Sequence, residues 1–500
     1  MKNQTSNDNS LKSIEDSFFY DEFKNPSSFW QKYDFEGQQS DQHIILMGKL
    51  YLKSQKTKKW TAYHFELYSD KLIKIEIQNL IQKEYLQINS CFLKKIKYSE
   101  NSYTNYKYGM RISFAEHKTE LFVDNLDYFN NWYDKMKRYC ILQKFSKKYK
   151  VLTKTKCYSH MPDSNFYYKC YRYSDSNQYC VRIIDKYIVS DQNKQMLLNE
   201  ISILRVLNHN SLCKLYEIYE EGNNMFIIMD ILLGKSLKSK LGDSIFADEK
   251  SVSEIIYSIL SGLNYMHQKG IFHRDLKLDN LYFKNAQNLK EICISNFFTA
   301  EYYNDKQKQP FKKCGTAGFI APEIFKTKSY DSKVDIFSLG VVFYILIFGK
   351  MPFNAANPDQ LLLLNEICEI DFDTKDAAIK CSCSCIEILK SMLEKDPLKR
   401  PDSTQLIKHT WFINMKSRGE DGRMKNNYFG MPTLSTIQEK SSDLGSRQEV
   451  FSPRRTESGS KIYEEYNSSI PTLNQMMLSL NSNTFWKIPS KYRHDLINGQ

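Results

Sequence analysis

His273-Arg274-Asp275-Leu276-Lys277-Leu278-Asp279-Asn280 is the stretch on which the reading of this chain turns. Eight residues of this kind in this order are far too specific for chance. Working outward, "ICISNFFTA" follows at 292–300. Then come Cys314-Gly-Thr316-Ala-Gly-Phe-Ile-Ala321-Pro322-Glu323, "KVDIFSLG" at 333–340 and Gly349-Lys-Met-Pro352-Phe353. "DPLKRP" at 396–401 and "KHTWF" at 408–412 close the series. Upstream lie "YCVRIIDK" at 179–186, "NEISILRVLNHNSLCKLYEIY" at 199–219 and "MFIIMDILLG" at 225–234. Throughout 145–413 strand-like and helical segments alternate, which points to a mixed α and β fold.

These motifs together resemble the catalytic domain of eukaryotic protein kinases, and the eight-residue stretch resembles its catalytic loop. The resemblance implies a bilobal kinase fold over 145–413. Asp275 would be the base for a substrate hydroxyl, Asn280 a metal ligand, and Lys277 the mark of the Ser/Thr class. Glu200 would be the acid of the regulatory helix, Met229 the gatekeeper and Asp230 the first hinge residue. Leu204 and Leu215 would stack beneath His273 and the activation-segment Phe, and Arg400 would be the buried partner of Glu323. Asp335 matches the family's core helix. The Gly349–Phe353 and Lys408–Phe412 segments are similar to the calmodulin-dependent group.

Four departures fall on the nucleotide site. The stretch "VLTKTKCYSHMPDSNFYYKCY" stands where kinases place a glycine-rich phosphate loop. No glycine occurs between Gly109 and Gly222, and Pro162 removes a further backbone donor. Arg182 replaces the lysine that pairs with the α/β-phosphates, and its planar fork suits a carboxylate such as Glu200 better. Asn296-Phe297-Phe298 replaces Asp-Phe-Gly, so Asn280 and Asn296 form a degenerate metal pair, because hard cations favour carboxylate oxygens. Two unit charges ~4 Å apart interact by roughly 4 kcal/mol at an effective dielectric of about 20. Half of that is already more than tenfold in affinity. Lys312 and Lys313 stand where family members often carry the activating phosphate, so Arg274 is expected to meet positive charge. The frame is kept while the ATP and Mg²⁺ contacts are altered. The expectation is a pseudokinase that acts as a scaffold or allosteric partner of other proteins and has no cofactor. The alternative is an active ATP- and Mg²⁺-dependent Ser/Thr kinase with protein substrates.

Before this region, residues 43–103 read as a strand meander ("ILMGKLYLKS", "KWTAYHFELYS", "DKLIKIEIQ"), the first part of a domain over 43–143. It closes with helical spacing at Leu126, Phe129, Trp132, Tyr133 and Met136. The run Gly48–Lys53, Trp60 with Phe65 and Leu67, and Trp132 are similar to a pleckstrin-homology domain, a β-sandwich or barrel with a C-terminal helix. Its phosphoinositide-gripping basic positions fall at Thr61 and Tyr63. Lys53, Lys56, Lys58 and Lys59 leave two readings open: a weak contact with anionic membranes, or a solvated loop on a protein-binding module.

Residues 1–42 are rich in Asn, Ser, Asp and Gln and read as a disordered arm; 414–500 read as a mostly disordered tail. Within that tail, Ser452, Thr456 and Ser458 lie beside Arg454 and Arg455 as candidate phosphorylation sites. Over the 500 residues, 41% are hydrophobic and 26% charged, enough for sizeable cores. A net charge of +12 chooses no partner by itself, and no nucleic acid is expected. Residues 1–20 lack the apolar run of a signal peptide, and Leu339–Phe348 suits a buried helix better than a membrane span. The twelve scattered cysteines suit a reducing compartment, so a cytoplasmic location is expected. Cys381, Cys383 and Cys385 lack the second ligand pair of a metal site.

Overall fold

The computed structural model describes residues 17–19, 29–33, 43–53, 59–77, 82–97, 106–156, 166–243, 248–285, 288, 290–303, 313–326, 330–355 and 357–420. The chain divides into two compact units. The first takes residues 1–237 and 261–315, the second 238–260 and 316–500.

The first unit is built on β-structure. Its strands begin with β1 (Gln31–Lys32), β2 (Leu46–Lys53), β3 (Trp60–Leu67), β4 (Lys71–Glu76) and β5 (Lys83–Gln87). They continue with β6 (Phe92–Lys97), β7 (Tyr108–Phe114) and β8 (His117–Val123), then helix α1 (Leu126–Met136) and the two-residue β9 (Ile141–Leu142). After β10 (Tyr149–Lys156), β11 (Phe166–Arg172) and β12 (Gln178–Asp185) come helix α2 (Asp191–Val206), β13 (Leu215–Glu221) and β14 (Asn224–Met229). The meander expected over 43–103 is present as β2 to β6 and runs on through β7 and β8, and wherever these seven strands pair with one another they are antiparallel. β9 pairs in parallel with β6 on one side and with β13 on the other. Through it the strand-rich region and the sheet β13-β14-β12-β11-β10 become one ladder. Their apolar residues likewise form one cluster, from Leu50 and Trp132 to Tyr149, Tyr219 and Ile228.

α1 forms where the helical spacing predicts, with Asn125 capping it by accepting from the Tyr128 N–H at 2.9 Å. Phe129, Trp132, Tyr133 and Met136 are buried, whereas Leu126 is exposed: it is the first residue of the helix, a turn short of the core. Gly48 explains how α1 reaches β2, since a Cβ there would run into the Tyr128 hydroxyl.

The arm read as disordered needs a correction at two places. Phe18 and Phe19 are buried, with Glu220 accepting from the Ser17 hydroxyl at 2.9 Å and the Phe18 N–H at 2.8 Å. Phe29 stacks on His117, and Trp30 meets Phe65 just before β1 joins β5. Composition averages over such short aromatic patches, and burying aromatic rings offsets the ordering of a few residues.

Helices α3 (Leu237–Asp243) and α4 (Glu249–Gln268) carry the chain into the second unit and back. The first unit then adds the strand pairs β15 (Ile271–Phe272) with β18 (Glu301–Tyr302), and β16 (Leu281–Phe283) with β17 (Ile292–Ile294). The second unit is helical: α5 (Glu323–Lys326), α6 (Lys333–Phe348), α7 (Pro358–Ile367), α8 (Cys383–Met392), α9 (Ser403–Leu406) and α10 (Thr410–Glu420). In α6 every residue from Val334 to Phe348 is buried, Asp335 included, and Gly349 ends the helix in the left-handed conformation (φ 66). Among the described residues no helix is long and apolar enough to cross a membrane.

Arg400, with no exposed side-chain surface, forks onto Glu323 at 2.5 and 3.1 Å, as the sequence implied. Its remaining donors go to the carbonyls of Glu394 and Lys333. Asp402 opens α9 with a reciprocal cap: its side chain accepts from Gln405 N at 2.8 Å while Gln405 Oε1 accepts from Asp402 N at 2.9 Å. Asp402→Ala is expected to cost about 1 kcal/mol, a loss typical of a cap. Urea unfolding should show a lower midpoint with an unchanged slope; no change in midpoint would mean the cap is idle.

Candidate functional site

Arg182 lies in the middle of β12, opposite Ile227 on one neighbour and Tyr167 on the other. Glu200 projects from the buried face of α2 that also carries Leu197, Ile201 and Leu204. Arg182 Nη1 donates to Glu200 Oε2 at 2.8 Å, with both side chains about 5% exposed. The guanidinium also lies over the Tyr167 ring, 5.5 Å from its centre. Burial works against the charge, yet Tyr167 and Glu200 outweigh it and hold the arginine pKa above its ordinary value. One arm of the fork is therefore given to the carboxylate.

Leu204, Leu215, His273 and Phe297 are all buried, and His273 meets Phe297 edge-on with ring centres 5.5 Å apart. His273 Nε2 donates to the Ser295 carbonyl at 3.0 Å, while its Nδ1 accepts from the Asp275 N–H at 3.3 Å, a pattern that fixes the tautomer. Asp275 is buried, with Lys277 Nζ 3.5 Å from its Oδ2.

Asn280 joins Asp275 to Asn296. Its amide Nδ2 donates to the Asp275 carbonyl at 2.7 Å and to Oδ2 at 3.1 Å. Since those oxygens only accept, the Asn280 Oδ1 must turn the other way. There it accepts from Asn296 Nδ2 at 3.2 Å. Asn296 itself holds a left-handed backbone (φ 62), a conformation asparagine tolerates better than most residues. The oxygen that would serve a metal is thus satisfied by an amide donor. Among the described residues no three His, Cys, Asp or Glu side chains are grouped to hold a metal ion. That includes the cysteines at 381, 383 and 385. Two neutral amides beside one carboxylate are a poor fit to Mg²⁺, which demands hard, charged oxygens.

Met229 is buried at the end of β14. Asp230 follows, its Oδ1 accepting from the Tyr216 hydroxyl at 2.7 Å and its Oδ2 from Lys214 N at 3.1 Å. Lys284 lies 3.7 Å from the same carboxylate. Burial first, and then Asp230, push the Tyr216 hydroxyl well above the ordinary tyrosine pKa. All the predicted site residues (Arg182, Glu200, Met229, Asp230, Asp275, Lys277, Asn280 and Asn296) lie in the first unit.

Sequence reasoning missed Glu301. Arg274, held at φ 66, donates through Nε to the Thr299 carbonyl at 2.6 Å, and its Nη2 lies 3.4 Å from Glu301 Oε2. The expectation that Arg274 meets positive charge in place of a phosphate is corrected accordingly: a carboxylate on β18 forms an ion pair with it. The signal was the acid five residues beyond Asn296, overlooked because attention went to the lysines. Of those, Lys312 lies outside the described residues. So do 157–165, the core of the altered phosphate loop with Pro162, and also Lys56, Lys58 and the tail sites Ser452, Thr456 and Ser458.

Residues 165–412 match the family model described as protein kinase domain, so the chain carries such a domain over those residues. The chain is 33% identical over 237 residues to "Probable serine/threonine-protein kinase 2" of Plasmodium falciparum, covering 47% of this chain and 45% of that protein. With "Calcium-dependent protein kinase 4" of Plasmodium berghei it shares 32% over 245 residues, 48% of this chain and 46% of the other. With "Calcium/calmodulin-dependent protein kinase type 1" of Caenorhabditis briggsae it shares 30% over 233 residues, covering 47% and 64%. The chain thus spans about half the length of the first two of these relatives. A protein kinase domain uses ATP and Mg²⁺ when it is active.

Proposed function

We propose that this chain is a pseudokinase that works as a scaffold or allosteric partner of other proteins, its kinase domain kept for its surfaces. The observation that carries the reading is the Asn296-to-Asn280 hydrogen bond, in which a neutral amide standing where a carboxylate would bind metal occupies the ligand oxygen. The arginine at position 182 adds support, because a bulkier planar fork stands where a compact lysine charge would meet the phosphates. In the same reading residues 43–143 form a pleckstrin-homology domain, supported by seven antiparallel strands followed by α1, and the protein acts in the cytoplasm.

Two observations favour a second reading, an active Ser/Thr kinase. The Arg182–Glu200 contact and the buried Phe297 against His273 are the internal alignment that phosphoryl transfer needs. Nucleotide binding separates the two. At an ordinary kinase affinity, millimolar ATP with Mg²⁺ would add roughly 2–3 kcal/mol of stability. The expected result is no shift in the unfolding midpoint of the full chain. A rise of several degrees that requires Mg²⁺ overturns the pseudokinase reading. Asn296→Asp alone is expected to leave phosphoryl transfer negligible, since catalytic groups act as a unit; robust transfer by that variant would overturn the reading as well.

A further inference from the structure

A cleft of about 870 Å³ opens in the first unit, walled by β6, the end of α1, the turn at Phe145–Lys147 and the end of β11. Seven of its lining side chains are basic and two are carboxylates. Both carboxylates are already engaged. Asp134 pairs with Lys137 at 2.9 Å. Glu217, buried, has Lys137 at 3.2 Å and Arg172 at 3.8 Å, and its Oε2 accepts the hydroxyls of Tyr149 and Tyr219. Among the described residues no carboxylate lies within ion-pair distance of Lys94, Lys95, Lys144, Lys147 or Lys148. Five lysines therefore line one concavity with no carboxylate in direct contact among the described residues.

We propose that this cleft binds a compact, multiply phosphorylated anion, held by Lys95, Lys144, Lys147 and Lys148. Its size falls in the range of small-ligand sites. Lysines converging as point charges suit an anion that presents oxygens in several directions, whereas a peptide carboxylate calls for the planar arginine fork. The one arginine here is committed to Tyr149, Asp175 and Glu217. Part of the wall is held in place in advance: Lys95 lies over the Tyr133 ring at 4.5 Å and Lys148 over Tyr219 at 5.4 Å. The crowding is felt by the cations themselves. Burial pulls Lys148 below the ordinary lysine pKa, and Lys137, Lys95 and Arg172 add to this against Glu217. Burial likewise lowers Lys95, with Lys137 adding to it and Asp134 opposing. An anion in the cleft relieves that repulsion. Because β6 belongs to the strand-rich region and β11 and β13 to the sheet that carries Arg182, such a ligand would tie the two together. The site is distinct from the hinge and catalytic loop, so it stands whether or not the kinase domain is active.

The shared chemistry is several phosphate groups on one small molecule, and its source is either a free molecule or a lipid headgroup. Two probes separate these, used with the full chain at physiological ionic strength: inositol hexakisphosphate by calorimetry, and phosphatidylcholine vesicles carrying phosphatidylinositol bisphosphate by co-sedimentation. Lys144 and Lys147 are exposed, so Lys144→Gln/Lys147→Gln leaves packing intact. Lys375→Gln/Lys399→Gln, also exposed, removes the same charge from the second unit. The expected result is binding of at least one probe, weakened about tenfold or more by the first pair and unchanged within about twofold by the second. Binding of the soluble probe alone assigns a free polyphosphate, and binding of vesicles alone assigns a headgroup. Failure of both probes to bind, or equal weakening by the two pairs, overturns the proposal.

Discussion

Glu200→Gln is expected to lower the free energy of unfolding by about 3–5 kcal/mol, the range for removing one partner of a buried ion pair. Arg182 would keep its charge at about 5% exposure, with a neutral amide in place of the carboxylate that now faces it. The cost comes from the abandoned arginine more than from the lost attraction. Urea unfolding of the full chain, followed through a probe of the first unit, should show an earlier midpoint at an unchanged slope. Replacing both partners, Glu200→Gln with Arg182→Met, should recover much of the loss, since no buried charge is then uncompensated. A single-variant loss under 1 kcal/mol would show that water reaches Arg182 and that the pair is not the closed contact described here.

Arg400→Met should cost the second unit a similar amount, about 3–5 kcal/mol, for the same reason with the signs exchanged. Here the charge left behind is Glu323, which loses both prongs of a bidentate contact, while the carbonyls of Glu394 and Lys333 lose donors too. The loss from Glu323→Gln/Arg400→Met should fall short of the sum of the single losses, because the two side chains share one interaction. Additivity within about 0.5 kcal/mol would contradict the pair as drawn.

Much of this was legible in the chain. The order His273 to Asn280, the helix acid Glu200, Met229 before Asp230, and Arg400 with Glu323 were read from motifs, and the structure places them as partners or neighbours. The meander and α1 followed from periods of 2 and 3.6, since side chains alternate along strands and return to one face of a helix. What resisted reading was long-range pairing. Nothing near Phe18 and Phe19 in sequence announces that Glu220, some two hundred residues on, will accept from the Ser17 hydroxyl and the Phe18 N–H. Leu126 fits the helical stripe yet is exposed, because position along a helix decides contact as much as face does.

The sequence by itself determined the kinase domain and the chemical identity of its altered site, because local motifs carry residue type and spacing. It also determined that Asn296 brings no carboxylate. Only the tertiary structure decided what those residues do to one another. The donor and acceptor ends of Asn280 are oriented by Asp275, and that orientation hands its oxygen to Asn296. Arg274 finds Glu301 only when β18 pairs with β15. Lysines from β6 and from the turn after β9 meet only when β9 stitches two parts of the chain into one sheet. Hydrogen bonds and charge repulsion act over a few ångströms, so their partners are fixed by the fold and not by distance along the chain.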